Sequence, residues 1–143
     1  MKMIDSIVTQ AAGIANVRRD IHAHPELCFQ EKRTADLVAA KLTEWGIPIH
    51  LGMGTTGVVG IVKNGASSRA VGLRADMDAL PMQEFNTFAH TSKNVGKMHA
   101  CGHDGHTAML LAAAQHLAKN RNFDGTVYLI FNRPKKAVAV RAR

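Results

Sequence analysis

Between Ile4 and Ile21 the apolar residues Ile4, Ile7, Val8, Ala11, Ile14, Ala15, Val17 and Ile21 recur at three- and four-residue steps, the spacing that gathers them on one side of a helix. The pattern predicts a helix from Ile4 to Ala23, closed where Pro25 pushes His24 away from helical geometry. A second helix is predicted from about Gln30 to Trp45, with Leu37, Val38, Leu42 and Trp45 on its inner side and Gly46 as its stop.

The texture then changes to short apolar runs, Gly57 to Val62 and Ala70 to Arg74, separated by Asn64-Gly65 and Ser67-Ser68. These read as two strands joined by a tight turn. Pro81 to Lys97 is polar and without period, and reads as a loop. A helix is predicted from about Gly105 to Lys119 on its Ala, Leu and Met content. After Asp124-Gly125, the run Thr126 to Phe131 has the continuous apolar pattern of a buried strand. Two helices, several strands, a further helix and a last strand predict an α/β layered domain, with no internal repeat and no linker.

Composition adds little until charge is mapped. A hydrophobic fraction of 46% over 143 residues suits one domain with a buried core. The chain has no apolar run of about eighteen residues, and Asp5 stands where a signal peptide would begin its apolar stretch. A cytoplasmic protein with no membrane partner is expected. With only Cys28 and Cys101, a disulfide framework is not expected, so each is a reduced thiol serving either as a small apolar residue or as a ligand. The net charge of +7 is concentrated at the end of the chain, where Arg133, Lys135, Lys136, Arg141 and Arg143 occur with no acid. Without those five the remainder carries 13 bases against 11 acids, a net of +2, so binding to nucleic acid is not expected of the body of the chain.

The densest chemistry lies between His99 and His106, where three histidines, Cys101 and Asp104 fall within eight residues, interrupted by Gly102 and Gly105. Imidazole and thiolate are the donors preferred by divalent zinc, manganese, cobalt or nickel. The competing reading is a core thiol among solvated loop histidines, against which the density of donors speaks. Upstream, Asp76 and Asp78 stand two residues apart after a strand, so both carboxylates can face one pocket. They either serve a metal site or form a solvated turn neutralised by Arg74. His22-Ala23-His24-Pro25-Glu26 is donor-rich too, but reads as a helix end with exposed imidazoles.

Four runs, Arg19 to Leu27, Leu73 to Pro81, His99 to His106 and Gly125 to Phe131, appear together and in order. In combination they resemble the M20 family of metallopeptidases and aminoacylases, in the branch of hippurate hydrolase, N-acyl-amino-acid amidohydrolases and auxin-conjugate hydrolases. The resemblance implies that residues 1–131 are the N-terminal part of a zinc-peptidase-like catalytic domain, a mixed sheet flanked by helices. It implies a centre of two divalent ions, with Cys101 and His103 as metal ligands and Asp78 as the residue that orients the site. Asp76, Asp104 and His106 would surround the ligands or meet the substrate. The implied reaction is hydrolysis of the amide bond of a small N-acyl amino acid, with a glutamate as general base. The resemblance also implies that intact relatives oligomerise through a smaller domain, which is expected to be absent here.

The chain departs from the family after Phe131. Where relatives read Gln-Pro-Ala-Glu-Glu-Gly, residues 132–143 are Asn-Arg-Pro-Lys-Lys-Ala-Val-Ala-Val-Arg-Ala-Arg. Deleting one C from codons for Phe-Gln-Pro-Ala-Glu-Glu-Gly-Gly-Gly-Gly yields Phe-Asn-Arg-Pro-Lys-Lys-Ala-Val-Ala-Val, which matches residues 131–140. The tail 132–143 is therefore read as an out-of-frame product, which removes the general base and the later ligands. An inactive chain is expected. The alternatives are a basic nucleic-acid-binding protein and a metal-binding regulatory fragment.

Overall fold

The structure is a computed structural model and describes residues 4–132. Its elements are α1 (Asp5–Ala23), α2 (Lys32–Glu44), β1 (Ile49–Met53), β2 (Gly57–Asn64), β3 (Ala70–Asp76), α3 (His103–Lys119) and β4 (Gly125–Asn132). The first two helices match the apolar spacing. The end of α2 is set by Gly46, whose positive φ of 70° is cheap only for glycine. Its beginning is held from a distance, because Glu31 at the cap position makes no capping bond. Instead Glu26 accepts the N–H groups of Arg33 and Thr34 at 2.9 and 2.8 Å.

The strands form one mixed sheet in the order β1-β2-β4-β3. β1, which the pattern did not reveal, makes an antiparallel hairpin with β2. The predicted tight turn does not pair β2 with β3. β4 lies between them, antiparallel to β2 and parallel to β3. The β2–β3 connection is tied to the start of β4, where Thr126 N–H donates to the Arg69 carbonyl at 2.9 Å and Ser67 N–H to Asp124 Oδ1 at 2.9 Å. A Cβ at Gly125 would stand 2.6 Å from that Arg69 oxygen.

The core lies between the sheet and the helices. Val38 and Leu42 of α2, Leu110, Leu111 and Ala114 of α3, and Val58, Val62, Val127, Leu129 and Phe131 of the sheet form one buried cluster. At about 25 cal/mol per Å² of apolar area, this cluster is the main stabilising element of the fold. α1 packs along α3 and adds Ile14 and Val17 at the cluster's margin. β4 is not buried on both faces as its sequence suggested. Val127, Leu129 and Phe131 point inward, while Tyr128 between them is 39% exposed. Among the described residues no helix is long and apolar enough to cross a membrane. Asn132 closes β4, and the rest of the predicted out-of-frame tail, 133–143, lies outside the described residues.

Candidate metal-ligand turn

The parallel strands β3 and β4 end side by side, and the chain leaving β3 carries both aspartates. Met77, fully buried, donates its N–H to Asn132 O at 2.9 Å, and Ala79 donates to Glu26 O at 2.7 Å. Those two bonds fix Asp78 between them. α3 is tied to the same strand end by Thr107, whose hydroxyl donates to the Asp76 carbonyl at 3.0 Å. The helix begins two residues earlier than its composition suggested, at His103, after Gly102 turns the chain with φ of 77°.

This geometry sets His103 against the aspartates. Its Nδ1 lies 2.9 Å from Asp78 Oδ1 and 2.9 Å from the Asp78 carbonyl oxygen, and its Nε2 lies 4.0 Å from Asp76 Oδ2. With two acceptors facing Nδ1, that nitrogen donates, and Nε2 is the ring atom left facing Asp76. Asp76 also pairs with Arg74, the partner that the neutralised-turn reading expected. Cys101 is exposed and neither cysteine is in a disulfide. His106, exposed one turn along α3, has its ring 5.5 Å from that of His103.

Asp104 does not join this group. It is buried, and its Oδ2 accepts from His22 Nδ1 at 2.8 Å and from Arg18 Nε at 3.0 Å. His22 is only 4% exposed, contrary to the exposed helix-end imidazole read from the sequence, because α1 turns that face onto α3. Its Nε2 lies 3.0 Å from Glu84 Oε1. His24, half-buried, bonds back to the Asp20 carbonyl at 2.8 Å. Arg18 and His22 stand four residues apart on α1, a helical spacing that could have signalled a shared partner. Glu84 had no such signal, being one acid in a polar loop.

Burial opposes charge on Glu84, but hydrogen bonds from His22, Asn86 and the Ser92 N–H outweigh it and lower its pKa to about 2. Asp104 likewise is held below the ordinary aspartate value: burial would raise it, and the His22 bond and the surrounding cations more than compensate. His99 is pushed down to about 4, chiefly by burial, with Asp104 opposing and His22 reinforcing the shift. Neither ring nitrogen of His99 has a hydrogen-bond partner among the described residues.

An imidazole whose far nitrogen is held by a carboxylate, with a thiol two residues before it, fits a borderline divalent metal. Among the described residues no group of three donors converges.

Residues 72–133 match the sequence profile of peptidase family M20/M25/M40. Over 131 residues the chain is 49% identical to hippurate hydrolase of Campylobacter jejuni, covering 92% of this chain and 34% of that protein. It is 49% identical over 119 residues to IAA-amino acid hydrolase ILR1-like 4 of Arabidopsis thaliana, covering 82% of this chain and 27% of the relative. The chain thus spans about a third or less of the length of these curated relatives. Its fold superposes with a TM-score of 0.82 and 40% identity on the Bacillus subtilis YXEP protein, described as a dinuclear metal binding peptidase from the M20 family, covering 87% of this chain and 35% of that one. The matched profile, the sequence identity and the superposed fold agree in one respect: the chain is similar to part of the metallopeptidases and amidohydrolases of family M20.

Proposed function

We propose that this chain carries the ligand-presenting end of an amidohydrolase centre that cleaves the amide bond of small N-acyl amino acids. The observation that supports the reading is the contact of His103 Nδ1 with Asp78 at 2.9 Å, which would leave Nε2 as the atom offered to a metal. Cys101 and His103 would hold divalent metal, with zinc, manganese, cobalt and nickel the candidate ions. When bound, such ions polarise an amide carbonyl and lower the pKa of a water. Asp78 orients His103 and keeps it in one tautomer. Asp76 contributes negative charge on the Nε2 side while Arg74 limits its excess.

The substrate class is supported by relatives whose names specify an amino-acid conjugate, hippurate in one case and an IAA-amino acid in the other. Their acyl groups differ, which makes the amino-acid half and the amide bond the shared chemistry. Because the body of the chain is nearly charge-balanced, neither nucleic acid nor a membrane is assigned as a partner.

The test compares two proteins on N-benzoylglycine. The 143-residue chain, which lacks the acids expected after Phe131, should release no benzoate. The product of a gene with one base restored after the Phe131 codon should release it, losing activity to a chelator and regaining it with one of the four metals. Metal-dependent release by the 143-residue chain would overturn the first expectation. Failure of the restored product on a panel of N-acyl amino acids would overturn the substrate class.

A further inference from the structure

The buried network around His22 is not part of the ligand group, yet it touches both stretches of chain that lead into it. We propose that His22 is a positioning residue, a buried imidazolium that fixes both flanks of the Cys101–His103 turn.

The charge follows from the hydrogen bonds. His22 Nδ1 faces Asp104 Oδ2 at 2.8 Å and Nε2 faces Glu84 Oε1 at 3.0 Å. Ionised carboxylates only accept, so both ring nitrogens must donate, and an imidazole with two N–H groups is a cation. Glu84 is held in its ionised range, and Asp104 also accepts from Arg18 Nε at 3.0 Å, consistent with that requirement. With Arg18 on Asp104, two cations meet two carboxylates, the balance that makes burial of the set tolerable. The other titratable groups around His22 are His99, with ring centroids 6.3 Å apart, His90 at 5.5 Å, and Arg19 nearby on α1.

The two carboxylates sit on opposite sides of the turn in sequence. Glu84 organises the incoming loop, accepting Ser92 N–H at 2.6 Å and the Asn86 amide at 2.8 Å, before the chain pairs Met98 with Leu80 and enters His99. Asp104 is the second residue of α3, directly after His103. One ring therefore holds the entry and the exit of a six-residue segment against α1. That segment starts α3 on a left-handed Gly102 with no side-chain cap, so its position depends on contacts from outside the helix.

This inference rests on the reading of Cys101 and His103 as ligands, but its test reads ring protons and is independent of any activity. In the 143-residue chain labelled with ¹⁵N-histidine, neutral-pH NMR should show both ring nitrogens of His22 protonated. His103 should show a protonated Nδ1 and a bare Nε2. In His22→Gln the amide donates on one side only and turns an oxygen towards a carboxylate, so the single-tautomer pattern of His103 should be lost to an averaged one. In His22→Gln/Glu84→Gln the second amide donates to that oxygen, and the pattern should return. A neutral His22 in the parent chain, or an unchanged His103 in His22→Gln, overturns the proposal. If the single variant does not fold, the double variant decides: a folded protein with the parent His103 pattern supports the role, and an averaged pattern or an unfolded protein overturns it.

Discussion

Asp78 presents two oxygens to one nitrogen of His103, its carboxylate Oδ1 and its own carbonyl, each 2.9 Å from Nδ1. Replacing the side chain leaves the carbonyl in place, so Asp78→Ala should keep the tautomer while losing the charge that makes Nε2 a better donor. The expected result is Zn²⁺ binding weaker by about tenfold, at the lower end of what outer-shell partners contribute, measured by equilibrium dialysis. Unchanged binding would mean that the carbonyl alone orients the ring.

Acid should weaken the fold in two windows. His99 has its folded pKa lowered from 6.5 to about 4, so the unfolded chain takes up its proton first and stability falls as pH drops between those values. Glu84 has its folded pKa lowered from 4.5 to about 2, so its contribution is present above 4.5 and lost as pH falls through that lower window. Urea midpoints measured from pH 7 to pH 3 should decline in both ranges. In Glu84→Gln the lower decline should flatten, and a parallel curve would remove Glu84 as its source.

Two glycines should respond oppositely to alanine. At Gly125, φ is 144° and a Cβ would meet Arg69 O at 2.6 Å, so Gly125→Ala should cost roughly 1–3 kcal/mol or more. At Gly13, inside α1, a Cβ meets nothing within 4 Å, so Gly13→Ala should stabilise by about 0.5–1 kcal/mol. Thermal melts of the two variants check both signs.

Glu26 caps α2 without being next to it, accepting N–H groups of Arg33 and Thr34 and the Thr34 hydroxyl at 2.8 Å. Glu26→Ala should cost about 1–2 kcal/mol, like loss of a strong N-cap. Hydrogen exchange should accelerate first at Arg33 and Thr34, and an even loss of protection across the chain would argue against a local capping role.

Local features were legible in the sequence, and pairings between distant segments were not. The period of Ile4 to Ile21 marked α1, and Asp76 and Asp78, two residues apart, both lie within 4.0 Å of the His103 ring nitrogens. β1 was missed although Ile49, Leu51 and Met53 alternate with His50 and Gly52, because the run is only five residues long and lies mostly exposed at the edge of the sheet. β2 and β3 read as a hairpin because a turn-rich stretch joins them, and nothing nearby reveals that β4 will intervene. His22 was misread for the same reason: its burial is decided by Asp104 and Glu84, 82 and 62 positions away.

The place of β4 also sets an order of events for the newborn chain. Val58 pairs with Phe131 and Ala75 with the same residue, so among the described strands the one between β2 and β3 is made last. Until Gly125 to Asn132 has left the ribosome, β2 and β3 have no partner between them, and the strand end that presents Asp78 stays unbraced. Pairing across about seventy residues closes a large loop before it gains contacts, which is slow. During that interval two apolar strands lie open, and quality control would meet the molecule in that state.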